Sequence, residues 1–373
     1  AEKQLSSDYK FSLIQSNFKF TLLRRNLMLR SVFLFLLLIY SNFALSDEII
    51  FADSHGPITV MGDHLHKKDE FMFSYRLSKM KMGSMLQGND KISISSAMSA
   101  PNGASDSSGR YMNAPTSMNM NMHMFGGMYA PTDNLTLMLM TSYLEKEMTS
   151  ERMRMSGGSR FDVNSNGIGD TRLSALIRLF KTEFVKSHLG FGVSFPTGGI
   201  DERDSTPMSS SARLGYAMQN GTGTFDPYFL INNVNNFDKV KVGEQFIIKK
   251  PVSGNNRNGY HYGTSIDATI WSSYRWLENV STAIKFNYKY LGQINGSDDE
   301  MNKRMNPSMD SNNVGHQKIN FGFGINYINN NDFLRNHRLG LEIILPIYQK
   351  VRGIQMSETY KIMIGWQFGF GQN

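Results

Sequence analysis

Apolar and polar residues alternate with a period of two through most of the chain beyond residue 70. That is the repeat of a β-strand with two unlike faces. Phe71, Phe73, Tyr75 and Leu77 share one face against Met72, Ser74, Arg76 and Ser78. Leu189, Phe191, Val193 and Phe195 oppose His188, Gly190, Gly192 and Ser194. Near the C-terminus Tyr360, Ile362, Ile364, Trp366, Phe368 and Phe370 alternate with Lys361, Met363, Gly365, Gln367 and Gly369. The pattern predicts twelve strands, at 71–82, 117–129, 135–147, 170–180, 187–195, 212–219, 226–236, 262–276, 280–290, 318–328, 338–345 and 359–370.

The connections separate two kinds of fold. Long ones (83–116, 148–169, 196–211, 237–261, 291–317) alternate with short ones such as 130–134 and 277–279. A secreted β-sandwich also alternates along its strands. An even strand count with short turns at one rim and long loops at the other is the mark of a transmembrane barrel. Closure is also how β-structure satisfies its backbone groups in lipid. The expected fold is therefore all-β: a transmembrane antiparallel up-and-down β-barrel of about twelve strands over residues 71–373, with short periplasmic turns and long external loops.

The N-terminal part changes the charge and the compartment. Residues 28–46, MLRSVFLFLLLIYSNFALS, offer Arg30, an apolar run from Val32 to Tyr40 and small residues at Ala44 and Ser46. These are the parts of a secretory signal peptide, too short to span a bilayer as a helix. Residues 1–27 read as sequence upstream of the start, and 47–70 as a periplasmic N-terminal tail or plug. The whole chain carries a formal +7, of which six Lys/Arg and two Asp/Glu lie in residues 1–46, leaving +3 beyond them. No nucleic-acid binding is expected at that charge. Cysteine is absent, which excludes disulfides, thiolate metal sites and cysteine nucleophiles. No serine–histidine–aspartate order, phosphate loop or HExxH stands out, and no enzyme activity or cofactor is expected.

Two clusters could hold metal. In MNMNMHMFGGMYA (118–130) the methionines occupy one face and Asn119, Asn121 and His123 the other. If that strand crosses lipid throughout, the methionine face meets hydrocarbon, because asparagine and histidine are costly there. His123 would then point inward beside Met72, Met138 and Met140, a thioether and imidazole set that suits Cu(I). The same methionines could simply fill a dry lumen. The second cluster is His55, His64 and His66 in SHGPITVMGDHLHKKDE, open to a divalent ion or merely solvated; an extended backbone would turn Asp63 away from His64. DVNSNGIGD (162–170) begins like a calcium loop but has Leu173 at the bidentate position, so an external turn is expected. The inward faces should carry Arg76, Arg172, Arg178, Arg275, Lys285 and Arg338, either lining a solute path that favours anions or cross-bracing the interior.

The motifs Phe195-Pro196-Thr197-Gly198, NGIGDTRL (166–173), MQNGTGTFDPY (218–228), ATIWSSYRWLENVSTAIKFNYKYLGQINGSD (268–298) and IMIGWQFGF (362–370) resemble the bacterial outer-membrane barrels named for the MetA-pathway of phenol degradation, often labelled simply transporter. The resemblance implies a porin-like channel for small, often aromatic compounds and brings no catalytic residues. Asn220 stands where that family usually has a less polar residue. The expected function is passive passage of a small organic solute, aromatic or anionic, across the outer membrane. Loop 83–116 would be the constriction, and the last strand would serve the barrel-assembly machinery. Lipid and the solute are the other expected partners. The alternative is a metal-binding or metal-transport barrel.

Overall fold

The alternating segments pair into one closed antiparallel sheet. The computed structural model describes residues 51–104, 109–153, 158–329 and 335–371; the upstream segment 1–27 and the expected signal peptide 28–46 lie outside them. In chain order the strands are β1 (Glu70–Gln87), β2 (Asp90–Ile92), β3 (Asn113–Thr132), β4 (Leu135–Arg152), β5 (Arg160–Ile168), β6 (Thr171–Lys181), β7 (Val185–Phe195), β8 (Arg203–Thr206), β9 (Ser209–Arg213), β10 (Asp226–Phe237), β11 (Val240–Lys249), β12 (Tyr260–His261), β13 (Ser265–Leu277), β14 (Val280–Leu291), β15 (Asn295–Gly296), β16 (His316–Asn329), β17 (His337–Val351) and β18 (Ile354–Gly371). Twelve of them form the barrel, in the order β1, β3, β4, β6, β7, β10, β11, β13, β14, β16, β17, β18, and β18 pairs with β1 to close it. Closure leaves no sheet edge, which a β-structure in lipid requires. β2 extends the sheet from β1 and β5 from β4, while β8–β9 and β12–β15 are small pairings within long loops.

Side chains divide as the pleat dictates. Phe73, Phe125, Leu139, Phe191, Ile270, Phe286, Phe323, Leu339 and Ile364 are exposed on the outside and make an apolar belt. Met72, Ser74, Arg76 and Ser78 of β1 are buried on the inside, as are Arg338, Gly340, Glu342 and Ile344 of β17. Water gains nothing from such a belt, whereas lipid covers it at no polar cost.

The count of twelve agrees with expectation, but two errors offset each other. Residues 212–219 form no barrel strand: Leu214, Tyr216 and Met218 alternate because they enter buried loop clusters. Residues 240–249, expected within a long loop, form β11 and pair along their whole length with β10 and β13. Only Asp238 (φ 56°) and Lys239 separate β10 from β11. The segment resembling a calcium loop is also a strand, β5, whose Asp162 accepts from Thr149 Oγ1 at 2.6 Å.

The methionine strand faces the opposite way from expectation. Its register puts Met128 opposite Met72, Met124 opposite Arg76 and Met118 opposite Met82, so the methionines share the inward face of β1. Asn119, Asn121 and His123 point outward. The reason is length: β3 has 20 residues and β4 has 18, while a tilted strand crosses the apolar core in about 9–11. Outside the belt, Asn119 and Asn121 lie between Lys81 and Lys79 of β1 and Glu147 and Glu145 of β4, and Asn121 Nδ2 donates to Glu145 at 3.2 Å. A polar ladder beyond the lipid costs nothing.

At the long-loop end, loops from separate parts of the chain close over the strands. Met85, Met98, Tyr111, Met118, Met148, Leu214, Met218 and Met356 form one buried cluster there. Tyr111 Oη donates to Asp310 at 2.9 Å, tying loop 88–112 to loop 292–315. The segment 83–116, expected to act alone as a constriction, therefore packs with 196–225 and 292–315 at this end.

Candidate functional site

Residues 51–66 run inside the barrel, and inward side chains from around the wall grip their backbone. Arg76 Nε donates to Ile58 O at 3.0 Å, and Arg338 Nη2 donates to Gly56 O. Asn232 Nδ2 donates to Asp63 O and Gln245 Nε2 to Met61 O, each at 3.0 Å. His188 Nε2 donates to Gly62 O at 2.8 Å, and Ser281 Oγ to Ala52 O at 2.9 Å. These donors come from β1, β17, β10, β11, β7 and β14. Small residues make room: a Cβ on Gly365 would sit 2.5 Å from Ile58 Cγ1, and one on Gly340 2.8 Å from Ile58 Cβ.

Charge pairs hold the same segment. Glu342 is fully buried; its Oε2 accepts from Thr59 N at 3.1 Å and Thr59 Oγ1 at 2.6 Å, and its Oε1 lies 2.5 Å from Lys285 Nζ. Asp53, also buried, lies between Lys241 (3.5 Å) and Arg275 (3.7 Å). Arg275 further stacks on the Phe51 ring at 4.1 Å. Burying a charge without such partners would cost several kcal/mol.

The six basic residues expected to line a path therefore divide. Arg76, Arg275, Lys285 and Arg338 grip residues 51–59. Arg178 sits at the short-turn rim and donates to Asp133 O and Asn134 Oδ1. Arg172 faces a cavity of about 490 Å³ in the barrel above Thr59, together with Lys285, Lys289, Lys361, Asp170 and Asn220. There Lys289 pairs with Asp267 at 2.6 Å, and Lys318 with Glu358 at 2.7 Å. The Asn220 amide is buried with neither its nitrogen nor its oxygen paired. A second cavity of about 430 Å³ lies among the long loops, lined by Phe161, Met148, Arg213, Glu300 and Met305.

Three of the glycine motifs meet beside the barrel cavity. Asp170 Oδ1 accepts from Gly198 N (3.1 Å) and Oδ2 from Thr222 N (2.9 Å) and Thr222 Oγ1 (2.8 Å). A Cβ on Gly198 would lie 2.6 Å from Gly221 Cα, so the two backbones need glycine to touch. The motifs form a backbone junction that positions Asn220 and carry no reactive group.

Of the expected metal residues, Met72, Met138 and Met140 do assemble, joined by Met128, Leu176, Met61 and Leu65. His123 does not join them, because it lies on the outer face, 2.8 Å from Tyr75 Oη and 3.8 Å from Glu145. His55 and His64 come together, with Nδ1 atoms 3.2 Å apart. The chain turns at Gly62 (φ 67°) rather than running extended, so Asp63 joins them, 2.8 Å from His64 Nδ1. His66 stands beside His64, ring centroids 4.8 Å apart, and is engaged by Glu70 at 3.3 Å. Burial, with His64 and Arg338 close by, holds the His55 pKa well below its ordinary value; burial lowers His66 as well. Burial pushes Asp63 up, but His64, His55 and Arg338 outweigh it and hold the carboxyl below its usual range. Sequence reading missed Asp53, placed Asp63 on the wrong side of His64, and marked Asn220 only as unusually polar; the signal for Asp53 was an acid in a tail facing a basic interior.

No family model and no curated protein matches the chain. Solved structures do. The crystal structure of an outer-membrane channel from Pseudomonas putida F1 matches with a TM-score of 0.56 at 14% identity, over 84% of this chain and 100% of that one. A Pseudomonas aeruginosa FadL homologue matches at 0.41 and 8% identity, over 88% of this chain and 100% of that one. The toluene transporter of Ralstonia pickettii matches at 0.39 and 10% identity, over 82% and 90%. At 14% identity the first of these likenesses is one of fold, and the fold this chain shares is that of an outer-membrane barrel.

Proposed function

We propose that the protein is a bacterial outer-membrane channel that passes a small organic solute, aromatic or anionic, through the barrel by diffusion. The observation that carries this reading is the cavity of about 490 Å³ between the loops and residue 59, faced by Arg172, Lys285, Lys289 and Lys361. Cations inside a narrow, low-dielectric tube raise the local concentration of anions, and the unpaired amide of Asn220 offers a donor and an acceptor to a polar group. Residues 51–66 act as a plug below this cavity and must shift for passage. The apolar belt and the final amphipathic strand suit lipid and the barrel-assembly machinery. The motifs that resemble the MetA-pathway barrels meet at Asp170, Gly198 and Gly221, and we read the chain as a relative of that group on those motifs.

Planar-bilayer recording of residues 47–373 beside residues 70–373 tests the reading. The longer chain should conduct little or intermittently. The shorter should conduct steadily with a reversal potential favouring anions, and a full-length Gly365→Ala chain should open more often than its parent. Cation preference in both chains, or no conductance from any correctly folded form, would overturn it.

A further inference from the structure

The loop from His55 to His64 returns on itself inside the barrel and brings three donor atoms to one place. His64 Nδ1 lies 3.2 Å from His55 Nδ1 and 2.8 Å from Asp63 Oδ1, and ligand atoms of all three residues lie within 4.8 Å of one another. A zinc-class ion bonded at about 2.0–2.1 Å in tetrahedral geometry holds its donors about 3.3 Å apart. Two edges of the triangle are thus already close to the spacing such an ion requires, and the third, between His55 and Asp63, lies within 4.8 Å and closes as the ion binds. Two Nδ1 atoms facing each other can share only one proton, so one imidazole presents a lone pair to the other.

We propose that His55, Asp63 and His64 bind a divalent transition-metal ion of the zinc class, and that the ion clasps this loop shut inside the barrel. Imidazole and carboxylate together suit such an ion, and Asp63 supplies its one formal negative charge. A second contact already fixes one of the ligands, because Gly56 N donates to Asp63 Oδ2 at 2.6 Å; the hydrogen bond between His64 Nδ1 and Asp63 Oδ1 gives way to the ion. The guanidiniums of Arg76 and Arg338 lie close by and oppose a dication, so the site should be weaker and more exchangeable than a structural zinc centre. On the other side of His64 a small cavity is lined by Met61, Met72, Met138 and Met140, and soft ions would favour those thioethers instead. The clasp goes beyond the channel reading and rests on one part of it, the docked tail.

Calorimetric titration of the metal-free full chain in detergent with zinc chloride tests the clasp, with Co(II) absorption reporting coordination geometry. One saturable site per chain is expected. His55→Ala, Asp63→Asn and His64→Ala should each weaken it by more than about tenfold, while His123→Ala, on the outer face, should leave it unchanged. Heat-modifiable gel migration would confirm that each variant forms the barrel. Absence of a saturable site in the parent, or equal affinity in the folded His64→Ala variant, would overturn the proposal. So would preference for Ag(I) with dependence on Met138→Leu and Met140→Leu, which would place the site among the thioethers. A channel without conductance that still binds zinc in this way would sink the transport reading and leave the clasp standing.

Discussion

Gly365→Ala should loosen residues 51–66 without harming the barrel. The new Cβ would lie 2.5 Å from Ile58 Cγ1, 2.7 Å from Ile58 Cδ1 and 3.1 Å from Arg76 Cγ. Those distances cannot persist, so Ile58 or the strand must move. The strand is bonded on both sides, and replacing a strand glycine removes about 0.5–1 kcal/mol of entropy cost rather than adding it. The tail therefore gives way. Overpacking of this kind costs about 1–3 kcal/mol, which lowers the docked-to-undocked ratio by about 5- to 150-fold at 1.4 kcal/mol per decade. The chain has no cysteine, so Val60→Cys provides a clean reporter: Val60 is 6% exposed, and its thiol-labelling rate follows the undocked fraction. Ile58→Ala makes the test specific. It removes Cγ1 and Cδ1 but keeps Cβ, so adding Gly365→Ala to that background should cost little. Adding Gly340→Ala should still cost, because its Cβ meets Ile58 Cβ itself at 2.8 Å. Equal labelling of Gly365→Ala and its parent, or equal relief of both glycine variants by Ile58→Ala, would refute the packing argument.

Other perturbations separate the belt from the interior. Leu139→Lys, on an apolar position 52% exposed, should destabilise the barrel in bilayers by about 2–4 kcal/mol, while Asn121→Lys on the same outer surface should be near neutral; urea titration of the refolded chains compares them. Glu342→Gln leaves Lys285 buried without its partner and should cost about 3–5 kcal/mol. The double change to Glu342→Leu with Lys285→Met should recover much of that, read by the same titration and by labelling at Val60→Cys.

The barrel was legible in the sequence because alternation and loop asymmetry are local and repeat many times. The two misplaced strands show where alternation fails. Leu214, Tyr216 and Met218 alternate as a strand would, yet serve loop clusters. In β11, Glu244 interrupts the outward row of Val242, Phe246 and Ile248, and an acid in that row hides an otherwise regular strand.

The methionine strand fails for a different reason. A period of two separates two faces but does not say which is wet, and the cost of asparagine in hydrocarbon decides it only where hydrocarbon is present. Lys79 and Lys81 share the outward face of β1 with Phe71, Phe73, Tyr75 and Leu77, so the point at which the belt ends was written in the neighbouring strand. The site was legible only in its ingredients. Tail histidines and inward arginines could each be named, but what joins most of them is the backbone. Arg76 meets the carbonyl of Ile58, Arg338 that of Gly56, and His188 that of Gly62. Every residue carries a carbonyl, so sequence cannot say which one a given arginine will find. Only the glycines hint at it, because Gly340 and Gly365 leave on two adjacent strands a hollow that one isoleucine fills.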